Sequence, residues 1–104
     1  MSGLAPDGTT KLKSRATLKV KKPSMYKVIM LNDNYTTMEF VVDILRKYFN
    51  KSPLEATEIM LNIHNNGQGV AGIYPFDIAS TKVTQVTNVA KKNGFPLKCV
   101  VEKE

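Results

Sequence analysis

The chain has 104 residues, 42% of them hydrophobic and 23% charged, the make-up of an ordinary globular protein and a length that suits one domain. No apolar run approaches the ~18–20 residues of a membrane span, and no secretory h-region lies near the start. One cysteine, Cys99, allows no internal disulfide and suits a reducing compartment, and one histidine beside it in the inventory is too little for a zinc site, so no metal and no cofactor are expected.

The net charge of +6 is unevenly placed. Residues 1–23 hold Lys11, Lys13, Arg15, Lys19, Lys21 and Lys22 against Asp7 alone, whereas residues 24–104 hold nine basic and eight acidic residues. The first segment has Gly, Pro, Ser, Thr and Lys but no aromatic residue, and cannot bury enough surface to offset its ordering entropy. Residues 1–22 are therefore expected to be a disordered basic extension, and residues 23–104 the core domain. Such an extension can bind nucleic acid, address the chain to an organelle, meet a protein partner, or simply be solvated. A single Arg and no evident processing site argue against an organellar transit peptide.

The core opens with Tyr26, Val28 and Met30 alternating with Lys27 and Ile29, the period of a strand. The polar run Leu31-Asn-Asp-Asn-Tyr-Thr-Thr37 follows, longer than a turn requires. From there Phe40, Val41, Ile44, Leu45 and Tyr48 fall on one helical face, with Thr36 or Thr37 as the cap and Glu39 near the positive end of the dipole. Ser52-Pro53-Leu54-Glu55 combines a capping Ser, a Pro at the first helical position and a Glu three residues after the cap, so a second helix starts there. Its inner stripe is Ala56, Ile59, Met60 and Ile63, and Asn66-Gly67 ends it. Val70 to Phe76 is predicted as a strand. A third helix opens at Pro75-Phe76-Asp77, turns Ala79, Val83, Val86 and Ala90 inward, and closes at Asn93-Gly94. Leu97 to Val101 is a last strand. The order β-α-α-β-α-β predicts a compact α+β sandwich, a three-stranded antiparallel sheet with three helices on one face.

Few residues could carry chemistry. His64, the lone histidine, lies on or beside the apolar stripe of the second helix, where a half-buried structural role competes with a functional one. Cys99 stands among Leu97, Val100 and Val101, the setting of a buried, inert thiol. There is no Gly-rich phosphate loop and no Ser in a nucleophile elbow, and a pairing of Asp33 with His64 lacks a nucleophile, so the inventory argues against an enzyme. Ligand binding fits better. Asn32, Asp33 and Thr36, with neutral His64, offer acceptors, and Met38, Val41, Met60 and Ile63 could line an apolar site beside them. Acceptors at the edge of an apolar site suit a cation that carries a hydrophobic group. The N-terminus of a protein beginning with a large apolar residue is one such cation among several.

The stretches PSMYKVIMLNDNYTTMEFVVDIL, EATEIMLNIH, STKV and FPLKC, in this order across residues 23–102, resemble the ClpS family, adaptors that hand N-degron substrates to a Clp-type ATP-dependent protease. The resemblance implies the small α+β fold of the ribosomal stalk protein's C-terminal domain, a cytoplasmic monomer, and no enzymatic activity. It implies binding of a free N-terminal Leu, Phe, Tyr or Trp and delivery to ClpA or ClpC working with ClpP. It places Asn32, Asp33 and His64 around the α-ammonium, with Asn34 and Thr36 supporting the loop. Met38, Val41, Met60, Ile63 and Leu97 form the pocket for the first side chain, Met38 acting as the gate against β-branched residues. Asp77 and Lys82 fall where the family meets the N-terminal domain of a ClpA-type AAA+ unfoldase, and the extension falls where the family has a segment used in delivery. No nucleic acid and no membrane are expected as partners. The alternative is a factor- or nucleic-acid-binding module of the stalk-like fold acting through its basic tail.

Three positions depart from the family pattern. Asn34 replaces a usual acidic residue. Thr37 replaces a usual Pro, losing a fixed φ and gaining a possible cap. Ile63 stands where Val is common, adding a methylene near the pocket floor, an effect on the largest side chains of about 1 kcal/mol.

Overall fold

The computed structural model describes residues 23–104. The expected disordered extension, residues 1–22, lies outside the described residues. The elements run β1 (Met25–Leu31), α1 (Met38–Tyr48), α2 (Pro53–Asn66), β2 (Gln68–Pro75), α3 (Phe76–Lys92) and β3 (Lys98–Lys103). β1 is central, with β2 and β3 antiparallel on either side. The predicted order of elements and the antiparallel sheet both hold.

The strands run further than the hydrophobic pattern suggests. β2 starts at Gln68 rather than Val70, because Gln68 and Gly69 pair with Leu31 and Met30. β3 continues to Lys103, which pairs with Tyr26, and the N–H of Glu104 donates to the carbonyl of Met25 at 2.9 Å. Backbone pairing, not side-chain polarity, sets these ends. Val28 and Met30 point into the main core with Ala71, Cys99 and the inner residues of all three helices. Ile29 points to the other face yet is only 4% exposed. It lies between Val70 and Val100, its register partners on the flanking strands. A central strand can bury both sides of its pleat in this way, which alternation alone does not foretell.

Thr37, not Thr36, caps α1: its hydroxyl accepts the N–H of Phe40 at 3.1 Å. The position that loses Pro's fixed φ thus supplies the first turn with an acceptor. α2 begins with the full reciprocal box, the Glu55 N–H on Ser52 Oγ at 3.1 Å and the Ser52 N–H on Glu55 Oε1 at 3.0 Å. It ends at Gly67, whose φ of 90° is left-handed and whose N–H reaches the carbonyl of Ile63 at 2.9 Å. A residue with a Cβ would be strained there. The Gly67 carbonyl in turn accepts the N–H of Asn32 at 2.9 Å, fastening the segment after β1 to the end of α2.

Lys82 of α3 lies half-buried and donates from Nζ to the carbonyl of Tyr48, the last residue of α1, at 2.7 Å. Its ammonium also stands 5.8 Å from the Phe49 ring centre and 5.2 Å from that of Tyr74. A cation at a helix C-terminus meets unpaired carbonyls and the negative end of the dipole. Lys82 therefore joins α3 to α1 whatever else it touches. Lys82→Met, which keeps most of the stem but removes the charge, is expected to lower the unfolding free energy by about 1–2 kcal/mol, measured by urea unfolding at neutral pH.

Candidate functional site

The segment between β1 and α1 is folded around one carboxylate. Oδ1 of Asp33 accepts the backbone N–H groups of Tyr35 at 2.8 Å and Thr36 at 2.7 Å, and Oδ2 accepts the Thr36 hydroxyl at 2.7 Å. Asp residues favour such local turns because the short side chain can satisfy backbone donors two and three residues ahead. Partial burial works against the charge of Asp33, but the hydrogen bonds from the Thr36 backbone and hydroxyl and from the Tyr35 N–H outweigh it, and the carboxyl titrates below its usual range. An ionised carboxylate has about four lone-pair sites, so roughly one remains for a further donor.

This turn, with the Asn32–Gly67 bond, stands over a cavity of about 240 Å³. Its lining is Asn32, Asp33, Asn34 and Thr36 from the loop, Met38 and Val41 from α1, and Met60, Ile63 and His64 from α2. The volume falls below the about 300–1,000 Å³ of sites for drug-sized ligands and suits a single large side chain. Polar groups gather on the loop side, and the helices contribute apolar groups together with His64. Met38, 45% exposed, stands at the opening, whereas Ile63, 3% exposed, is seated against the core. His64 is exposed, not half-buried as a purely structural histidine would be, and borders the same space. Asp33 is the only acidic residue of the lining.

Leu97, expected in the pocket, does not line this cavity. It precedes β3 and is 5% exposed within the main core, where it helps fill the space between helices and sheet. Cys99 is likewise buried, and burial pushes its thiol up to about 12, so it is not a nucleophile. Asp77 and Lys82 lie apart from the cavity, on a shallow depression of α3 that they share with Ile78, Thr81 and Gln85. Exposed Phe76 and Ile78 flank Asp77. Two residues that shape the site escape a reading of its chemistry: Gly67, whose carbonyl holds the loop, and Gly69, on which Ile63 rests. A glycine just inside a strand is the signal that could have marked Gly69, since it often denotes a close approach.

Among the described residues no helix is long and apolar enough to cross a membrane, and no group of three His, Cys, Asp or Glu side chains could hold a metal ion.

Known proteins resemble this chain in sequence and in fold. The model of the family described as "ATP-dependent Clp protease adaptor protein ClpS" matches residues 21–100. The ATP-dependent Clp protease adapter protein ClpS of Herminiimonas arsenicoxydans is 56% identical over 96 residues, 92% of this chain and 92% of that protein. The one from Rhodospirillum centenum is 54% identical over 90 residues, 86% of this chain and 83% of that protein. Among solved structures, Agrobacterium tumefaciens ClpS2 bound to L-phenylalaninamide is similar with a TM-score of 0.76 and 38% identity, over 80% of this chain and 100% of that one. Identity at this level along nearly the full length of the relatives leaves the fold and the lineage in agreement, and the chain belongs to the ClpS family of Clp protease adaptors, which are not themselves enzymes.

Proposed function

We propose that this protein binds substrates through a free N-terminal Leu, Phe, Tyr or Trp and delivers them to a Clp unfoldase–protease. The observation that carries this is the cavity itself, an apolar floor of Met38, Val41, Met60 and Ile63 under a polar rim of Asn32, Asp33 and His64. L-phenylalaninamide, the ligand of the Agrobacterium relative, joins a free α-amino group, an aromatic side chain and a carboxamide, the features of a peptide's first residue.

A buried ammonium must have its water shell replaced by acceptors. The remaining lone pair of Asp33, the Asn32 side chain and a neutral His64 ring supply three for its three N–H groups. An acetylated N-terminus brings neither the charge nor the donors. It leaves the rim unmatched at a cost of a few kcal/mol, about 10²-fold in affinity. Burial of a Leu or Phe side chain below contributes about 2–3 kcal/mol. The rim thus selects a free N-terminus and the floor selects size, with Met38 at the opening as the gate against β-branched residues. Asn34 and Thr36 hold the loop in shape. With Asn34 neutral, Asp33 alone supplies negative charge, so the attraction is short-ranged and only weakly sensitive to salt.

Delivery is assigned to the other end of the molecule. β1 runs from Met25, paired with Pro75, to Leu31, paired with Gln68 beside the cavity, a span of about 20 Å. The described residues begin at the Met25 end of β1, where Pro75, the residue before Phe76 and Asp77, pairs with Met25. Asp77 and Lys82 are proposed to meet the N-terminal domain of a ClpA-type unfoldase there, with the extension taking part in transfer. A substrate held at the far end leaves that surface free. The proposed protein is a cytoplasmic monomer, since an ATP-dependent protease works where ATP is held.

The primary test is fluorescence anisotropy with one labelled peptide carrying a free or an acetylated N-terminal Leu. Micromolar or tighter binding of the free form and at least about tenfold weaker binding of the acetylated form are expected. Equal binding of the two would defeat the proposal. Asp33→Ala should abolish binding and lower stability at pH 7. Because the folded carboxyl titrates below its unfolded value, that stability is present above about pH 4 and lost as pH falls through the lowered folded value, which acid unfolding of both proteins checks. His64→Ala should bind the free N-terminal peptide more weakly, since one acceptor for the ammonium is lost. Deletion of residues 1–22 should leave peptide binding intact and impair degradation by the Clp protease. Binding to nucleic acid with a steep salt dependence, abolished by the same deletion, would favour a module acting through its tail.

A further inference from the structure

The cavity's depth is set from behind. Gly69, the second residue of β2, pairs with Met30 and does not have the left-handed φ found at Gly67 and Gly94. Its backbone would accept any residue, so its lack of a side chain concerns space. A Cβ placed there would lie 2.9 Å from Cγ1 of Ile63, 3.4 Å from the carbonyl oxygen of Ile59 and 3.6 Å from the nitrogen of Ile63. Carbon atoms pack best at about 3.5–4.0 Å, so the first of these distances requires movement. The second and third belong to the backbone of α2, which lies directly on the strand and is held by its own hydrogen bonds. What can give is the Ile63 side chain. It has close-packed core around it and the cavity on its open side. A core at crystal-like density yields far less readily than empty space.

We propose that Gly69 is a positioning residue for size selection: by leaving room beneath Ile63, it keeps that side chain drawn back from the cavity and so admits the largest N-terminal side chains. The inference rests on the N-terminus-reading function proposed above. It assigns the choice between Leu and the bulkier aromatic residues to a residue that touches no ligand.

The test compares three free N-termini, Leu, Phe and Trp, on one peptide by anisotropy. Gly69→Ala should weaken Phe and Trp peptides about tenfold more than the Leu peptide, the discrimination that a methylene's change of pocket size can supply. Adding Ile63→Val, which shortens the side chain that the new Cβ displaces, should restore the original ranking. Thermal unfolding of each variant separates this from a general loss of fold, because a destabilised but unchanged pocket weakens all three peptides alike. If Gly69→Ala proves too unstable to assay, Ile63→Val alone should favour Trp and Phe relative to Leu. An unchanged ranking in Gly69→Ala, or in Ile63→Val where that is the variant assayed, overturns the inference while leaving N-terminal recognition in place. A wild-type protein that binds free and acetylated peptides equally removes both.

Discussion

The site depends on the carboxylate of Asp33. A run of polar residues between a strand and a helix has many conformations, and most would scatter its side chains into water. Three hydrogen bonds onto one side chain select a single conformation, with Thr36 held at its backbone and its hydroxyl. The loop is then anchored at both ends, by the Asn32–Gly67 backbone bond on one side and the Thr37 cap of α1 on the other. Ordering the rim during folding removes that entropic cost from the binding step, which is how preorganisation raises affinity. It also explains why a polar run longer than a turn is tolerated here: its part-buried groups, on Asp33 and Thr36, are paired before any ligand arrives.

The central strand gives the molecule its polarity. β1 leads from the start of the described residues to the polar loop, and its partner β2 brings the start of α3 to one end and the end of α2 to the other. Proposed substrate and proposed unfoldase therefore meet opposite ends of one rigid sheet, and neither needs the other to move. The apolar row Val70–Ile29–Val100 lies across the sheet on the side away from the main core.

Lys82 illustrates how a residue assigned to a partner surface can also belong to the fold. Its ammonium already has an acceptor, the Tyr48 carbonyl, and two aromatic faces beside it. A partner would have to share this charge, leaving Asp77, with exposed Phe76 and Ile78, as the freer part of that surface. Loss of delivery in a Lys82 variant consequently has to be separated from weakening of the α1–α3 joint.

The order of elements, both well-capped helix starts and most of the residues that line the cavity were legible in the sequence, because hydrophobic period, Ser-Pro-x-Glu chemistry and Gly at a helix end act over a few neighbouring residues. The family's motifs carried Asn32, Asp33, His64, Met38, Val41, Met60 and Ile63 as a set. What lay beyond local pattern depended on contacts between distant segments. The tertiary structure decided that Leu97 belongs to the core and not to the cavity wall, that Ile29 is buried on the far face, and that Lys82 crosses to the end of α1. It decided too that β2 starts at Gln68, since strand ends follow backbone pairing rather than side-chain polarity. Above all it gave Gly69 its meaning: the sequence by itself determined that no side chain stands there, and only the packing of α2 against β2 decided that the resulting space belongs to Ile63.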